Sequence, residues 1–199
     1  MLDVDELCRP GLAPVSFTLA AGDCLAVRGP SGAGKTLLLR ALADLDPSHG
    51  RVTWQGRERN TMSGPEWRRL VGYLPAEPGW WAETVGGHFR DWPTLIPLLT
   101  RLGLPADADR WPITRPSTGE RMRLALIRAL EVAPEVLLLD EPTAALDAAS
   151  VSLVEQVIAE RRAAGLTVIW ITHDAAQGER VARRRLVVEA GQTRVEEIV

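Results

Sequence analysis

Short, wholly apolar runs recur along this chain, separated by stretches whose apolar positions repeat at helical spacing. Cys24-Leu25-Ala26-Val27, Val136-Leu137-Leu138-Leu139 and Thr167-Val168-Ile169-Trp170-Ile171 carry no alternation. That is the pattern of strands covered on both faces. Leu70-Val71-Gly72-Tyr73-Leu74 is a similar run, stopped by Pro75, whose missing N–H cannot extend a ladder. Val15-Ser16-Phe17-Thr18-Leu19 alternates instead and meets Ala21-Gly22-Asp23, predicting a half-exposed strand and a turn. Arg51-Val52-Thr53-Trp54 before Gln55-Gly56-Arg57 reads as a hairpin arm. Leu186-Val187-Val188 before Gly191 reads as a late edge strand. Helical patterns follow Thr36, Arg121 and Asp147. Strands that alternate with helices predict an α/β fold, its sheet mostly parallel with an antiparallel β part near the N-terminus.

The middle of the chain breaks this rhythm. From about 78 to 116 it is rich in Pro, Trp and Gly, with one short helical pattern at about 94–102 and no strong strand. We expect a small inserted helical subdomain, about 78–131 once the next helix is included. The core is then 1–77 and 132–199 of a single domain.

At 199 residues, 46% hydrophobic and 25% charged, the chain is ordinary for one soluble globular domain. Its net charge of −3 gives no basic surface for a nucleic acid, so no such partner is expected. The acidic start, Met1-Leu2-Asp3-Val4-Asp5-Glu6, is not expected to act as a signal peptide. No apolar stretch approaches the ~20 residues of a membrane span, so any membrane part would come from another chain. Cys8 and Cys24 lack metal-type spacing and are expected as reduced, half-buried thiols.

Candidate chemistry starts after the first buried run. Gly29-Pro30-Ser31-Gly32-Ala33-Gly34-Lys35-Thr36 fits G-x-x-x-x-G-K-[ST] between a strand and a helix. The glycines let successive N–H groups converge on an anion, and the helix N-terminus adds positive potential there. Lys35 can reach the β- and γ-phosphates and Thr36 can ligate Mg²⁺. The expected ligand is a nucleoside triphosphate. A second run, Val136–Leu139, ends in Asp140 and Glu141. Asp140 can hold Mg²⁺ through water, and Glu141 can polarise the attacking water as general base. Without the phosphate loop the pair would read only as the cap of a helix. His173 follows the third run, at the sheet edge where open α/β folds bind ligands, and can contact a γ-phosphate.

Phosphate loop, Leu137-Leu138-Leu139-Asp140-Glu141-Pro142-Thr143, Ala145-Leu146-Asp147 and Thr172-His173-Asp174 occur in an order and spacing that resembles the ATP-binding cassette (ABC) ATPases. The resemblance covers nearly the whole chain. It implies a P-loop NTPase (RecA-like) core, ATP and Mg²⁺ as cofactors, and ATP hydrolysis coupled to transport. It gives Asp147 the D-loop role, His173 the switch role and Leu37 a place beside the phosphates. It assigns Ser117 and Gly119, within Ser117-Thr118-Gly119-Glu120-Arg121, to a signature segment that binds the γ-phosphate held by a partner cassette. Alone, Ser117 and Glu120 would read as a helix capping box. The resemblance further implies an ATP-dependent homodimer or paired cassette and an integral membrane permease. The chain would then sit in the cytoplasm, on the inner face of the cell membrane. The short middle region is similar to the cassettes of FetAB-type metal export. The alternatives are a soluble ATP switch acting on a protein or nucleic acid, and a degenerate cassette that barely hydrolyses ATP.

Four positions depart from the family pattern. Pro116 and Thr118 replace Leu and Gly in the signature, and Ala76 stands where a glutamine is usual. Leu37 replaces a hydroxyl residue. No aromatic precedes Val15 to stack on the base, which leaves Arg9 as a candidate there. A slow ATPase with relaxed base preference is the expectation. Trp80, Trp81 and Phe89 either pack the small subdomain or anchor a partner helix.

Overall fold

The structure is a computed structural model that describes residues 1–189 and 192–198. Its first two strands, β1 (Leu2–Arg9) and β2 (Leu12–Leu19), form an antiparallel hairpin turned at Pro10-Gly11. β2 buries Leu12, Val15, Phe17 and Leu19 and turns Ser16 and Thr18 to water, as its alternation requires. β1 was not expected, and the reason is local. Glu6 adopts φ +51°, and the register shifts between Val4 and Leu7. This bulge carries Leu7 to the inner face out of step with Leu2 and Val4, so no simple period of two survives.

β3 (Cys24–Arg28) passes into α1 (Lys35–Leu42); β4 (His49–Trp54) and β5 (Arg57–Glu58) then pair onto β1, giving the antiparallel sheet β2-β1-β4-β5. α2 (Gly64–Leu70) leads to β6 (Val71–Leu74), and α3 (Trp92–Arg101) and α4 (Thr118–Glu131) follow. Then come β7 (Val136–Asp140), α5 (Ala148–Ala163), β8 (Thr167–Ile171), α6 (Ala175–Val181), β9 (Arg184–Glu189) and β10 (Gln192–Glu197). The second sheet runs β10-β9-β3-β8-β7-β6, parallel throughout except for the β9–β10 pair.

At this end of the sheet the edge strand is therefore β10, and β9, the strand expected at the edge, lies inside it. β10 carries Val195 as its one apolar residue, so periodicity could not find it. Gly191, expected to end the late strand, lies outside the described residues. α3 starts two residues before its expected position because Pro93 suits the first turn of a helix.

Alternate residues of the buried strands feed two cores. Leu25, Val27, Leu138 and Ile169 join Leu38, Leu39 and Leu42 of α1 and the inner face of the antiparallel sheet. Leu137, Leu139, Val168 and Trp170 join Leu126 and Ile127 of α4 and Val154 and Ile158 of α5. Cys24 is fully buried rather than half-buried, and desolvation pushes its thiol up to about 12; Cys8 is half-buried. Among the described residues no helix is long and apolar enough to cross a membrane.

Candidate active site

Parallel pairing sets the site. Asp140 is level with Ile171, and Ile171 with Val27, so the segments leaving β3, β7 and β8 emerge at one edge. The phosphate loop, residues 29–34, leaves β3 there. Two of its glycines are required by close approach. A Cβ on Gly29 would sit 2.0 Å from the Val188 carbonyl, and one on Gly34, at φ +99°, 2.8 Å from the Gly11 carbonyl. The second contact seats the β1–β2 turn on the loop. Leu37 supports the same turn, since its Cδ1 lies 3.0 Å from where a Gly11 Cβ would be. Pro30, Ser31, Gly32 and Thr36 are exposed at the mouth, Ala33 is half-exposed, and Gly34 and Lys35 are buried.

Lys35 Nζ donates to the carbonyl oxygens of Gly29 at 2.8 Å and Pro30 at 2.9 Å. The ammonium thus fills the centre of its own loop. Burial lowers its pKa, against the pull of Glu141 and Asp140. Thr36 Oγ1 donates to Asp140 Oδ2 at 2.8 Å. A hydroxyl and a carboxylate oxygen, both hard donors, meet at the loop's exit, and that donor set fits Mg²⁺.

Glu141 follows Asp140 in the left-handed region, at φ +51°. Such backbone costs a non-glycine residue about 1 kcal/mol, and here it turns the chain sharply off the strand. The Glu141 carboxylate lies 2.7 Å from Nε2 of His173, which is half exposed just beyond β8. Loop, metal-type donors, carboxylate and histidine are brought together as their spacing predicts.

The other expected residues lie apart. Ser117 caps α4 in a capping box: its Oγ accepts from Glu120 N at 3.2 Å, and Glu120 accepts from Ser117 N at 2.8 Å. A Cβ on Gly119 would lie 3.2 Å from Leu146 Cδ2, so the first turn of α4 packs beneath the segment ending at Asp147. Asp147 caps α5, accepting from Ser150 N at 2.8 Å, and that bond keeps its carboxyl below the usual range. Among the described residues, no hydrogen bond or ion pair joins Ser117, Gly119 or Asp147 to the phosphate loop. Ala76 and Glu77 are exposed. Trp81 is 73% exposed while Trp80 and Phe89 are half-buried, and the Arg128 guanidinium lies over the Trp80 and Trp81 rings. The two readings of this aromatic group thus divide: Trp80 and Phe89 pack inward, Trp81 outward.

Sequence reasoning missed two contacts. The Tyr73 hydroxyl donates to Asp140 Oδ2 at 3.1 Å, and burial, reinforced by Asp140, raises its pKa. Asp46 accepts from Arg40 Nε at 2.6 Å and Nη2 at 2.8 Å and from Arg9 Nη1. Arg9, the candidate for the base, is therefore tied beside α1. The hydrogen bond from Arg40 leads in lowering the Asp46 carboxyl from 3.8 to about 2. A depressed carboxyl stabilises the fold above its ordinary value and loses that contribution as pH falls through its folded one. Asp46→Asn is therefore expected to flatten the decline of Tm between pH 3.8 and about 2. An unchanged slope in a pH series of melting curves would remove Asp46 from the acid response.

The family model for the ABC transporter matches residues 12–144. The chain is 33% identical over 198 residues to the Fe(3+) ions import ATP-binding protein FbpC of Pseudomonas fluorescens, covering 92% of the chain and 56% of the relative. It is 33% identical over 172 residues to the probable iron export ATP-binding protein FetA of Escherichia coli, covering 80% of the chain and 76% of the relative. It is 37% identical over 196 residues to the aliphatic sulfonates import ATP-binding protein SsuB of Granulibacter bethesdensis, covering 94% and 77%. The chain thus spans between about half and three quarters of the length of these relatives. Among solved structures, an ATP-binding subunit of an ABC transporter superposes with a TM-score of 0.90 at 22% identity, covering 99% of this chain and 90% of that one. A dimeric, post-hydrolysis ATP-binding cassette bound to ADP and Pi superposes with a TM-score of 0.83 at 21% identity, covering 100% and 99%. At these identities the two structures speak to the fold.

Proposed function

The chain belongs to the ABC transporter family, and from that premise we propose that it is the ATP-binding and ATP-hydrolysing subunit that energises a separate membrane permease. The observation that carries this is the convergence at one sheet edge of Lys35 and Thr36, Asp140 and Glu141, and His173. Loop N–H groups and Lys35 hold the phosphates. Bound Mg²⁺, held by Thr36 and Asp140, would neutralise charge on the β- and γ-phosphates. Glu141 takes a proton from water as the water oxygen bonds to the γ-phosphorus. The bond to the β–γ bridging oxygen breaks, releasing ADP and phosphate. His173, against Glu141, holds the carboxylate toward that water.

Within one chain Ser117 caps α4 and Gly119 packs against Leu146, and among the described residues neither is bonded to the phosphate loop. A helix N-terminus with a hydroxyl and a bare backbone is an anion site, and in the proposed head-to-tail dimer it meets the γ-phosphate of the partner's ATP. Closure around two nucleotides drives the permease, and hydrolysis reopens it. The chain then lies on the inner face of the cell membrane, held by its permease.

Co-expression and vesicle reconstitution with a multi-span membrane protein, should a neighbouring gene encode one, test this reading. The expected result is a vesicle-bound complex whose ATP turnover rises severalfold over that of the free chain. A chain that binds ATP yet neither dimerises nor responds to the membrane protein would overturn it and favour a soluble switch.

A further inference from the structure

We infer that Tyr73 is a positioning residue for the metal: its hydroxyl holds Asp140 in the orientation that receives Mg²⁺. The inference rests on the proposed nucleotide site and deepens it.

β6 is the edge strand next to β7, and Tyr73 is level with Leu138, two residues before Asp140. Residues two apart share a face of a sheet, so Tyr73 and Asp140 face the same way, toward α1 and Thr36. The Tyr73 ring packs against the core on that side. Its hydroxyl reaches Asp140 Oδ2 at 3.1 Å, the same oxygen that accepts from Thr36 at 2.8 Å. Two donors on Oδ2 fix the rotation of the carboxylate. Among the described residues Oδ1 accepts no hydrogen bond, so it is the oxygen left for a metal-bound water. An ionised carboxylate only accepts, so the phenolic proton must point at Asp140.

The charged groups around the ring are consistent with this. Arg40 and Asp46 bear on Tyr73 from the α1 side, but both are engaged with each other, leaving Asp140 as the hydroxyl's partner. Ala76, three residues on, ends in a methyl group and can hold nothing. In this chain, the oxygen that steadies the metal side from β6 is therefore the Tyr73 phenol.

Groups behind a metal ligand typically change metal affinity about 10–100-fold when removed. Tyr73→Phe keeps the ring and removes one oxygen. A fluorescent ATP analogue is titrated with Mg²⁺, and Mn²⁺ binding to the complex is followed by electron paramagnetic resonance. The variant is expected to need about tenfold more of either ion, with unchanged nucleotide affinity in EDTA. A purely structural role would weaken binding with and without metal alike. Tyr73 is the sole tyrosine of the chain, so its ¹³Cζ resonance in the unaltered protein gives a second reading. That resonance should move when Mg²⁺ joins bound nucleotide, and stay in place with nucleotide alone. Equal metal demand in both proteins, or a stationary resonance on adding Mg²⁺, overturns the inference while leaving the site intact. If the unaltered chain shows no metal dependence at all, the inference falls together with the metal reading of Thr36 and Asp140.

Discussion

Glu141→Gln is expected to cut ATP turnover by about 10²–10³-fold, the usual contribution of a general base, while leaving ATP bound. Glutamine has nearly the same size and can still accept a hydrogen bond from His173, so the left-handed turn at 141 and the pair at 2.7 Å survive. What is lost is a group that can take the proton of the attacking water. ATP would then persist between two chains, and gel filtration with ATP should show a lasting dimer for the variant and a transient one for the parent. Phosphate release measured on both proteins completes the comparison. Parent-like turnover in the variant would assign the base elsewhere. ATP binding with no dimer in either protein would place the fault at Thr118 beside Ser117 and Gly119, and the chain would stand as a degenerate cassette or need a different partner.

The site was more legible than the fold around it. Lys35 and Thr36 announce themselves in the loop pattern leading from β3 into α1, Asp140 and Glu141 at the end of the wholly apolar β7, and parallel pairing of β3 with β8 and β8 with β7 then puts these segments together. His173 is found the same way. β1 and β10 were not found, for opposite reasons. β1 has the apolar residues but loses its alternation at the Glu6 bulge, and β10 keeps its strand geometry with almost no apolar residue to report it. α2 did carry a readable signal, Ser63 three before Glu66 with Pro65 between, and this capping box forms. Tyr73 could not be read at all: its tie to Asp140 depends on the register of β6 against β7, which no local pattern encodes. The same holds for Arg9, Arg40 and Asp46, which meet from separate elements.

Removing the lysine should abolish what the loop does, and Lys35→Ala is expected to weaken ATP binding roughly a hundredfold, the scale of ~3 kcal/mol for hydrogen bonds to a charged partner. This ammonium donates to the Gly29 and Pro30 carbonyls at 2.8 and 2.9 Å. It is buried and its pKa is lowered by that burial, so it is held where charge is costly and an incoming phosphate relieves the cost. Binding therefore exchanges two neutral acceptors for an anionic one. The loop backbone is fixed independently by the contacts of Gly29 with Val188 and Gly34 with Gly11, so the variant should fold and melt close to the parent. Calorimetric titration with ATP, with and without Mg²⁺, separates this residue from Tyr73. Lys35→Ala should lose affinity in both conditions, because it meets the phosphates directly; Tyr73→Phe should lose it only where metal is present. The lowered pKa has a further sign. The charged form of Lys35 is lost at a lower pH than for an ordinary lysine, so the parent's ATP affinity should decline earlier on the alkaline side, and the Lys35→Ala protein should lack that decline. Undiminished ATP binding by Lys35→Ala would mean that the anion seated by this loop is not the triphosphate.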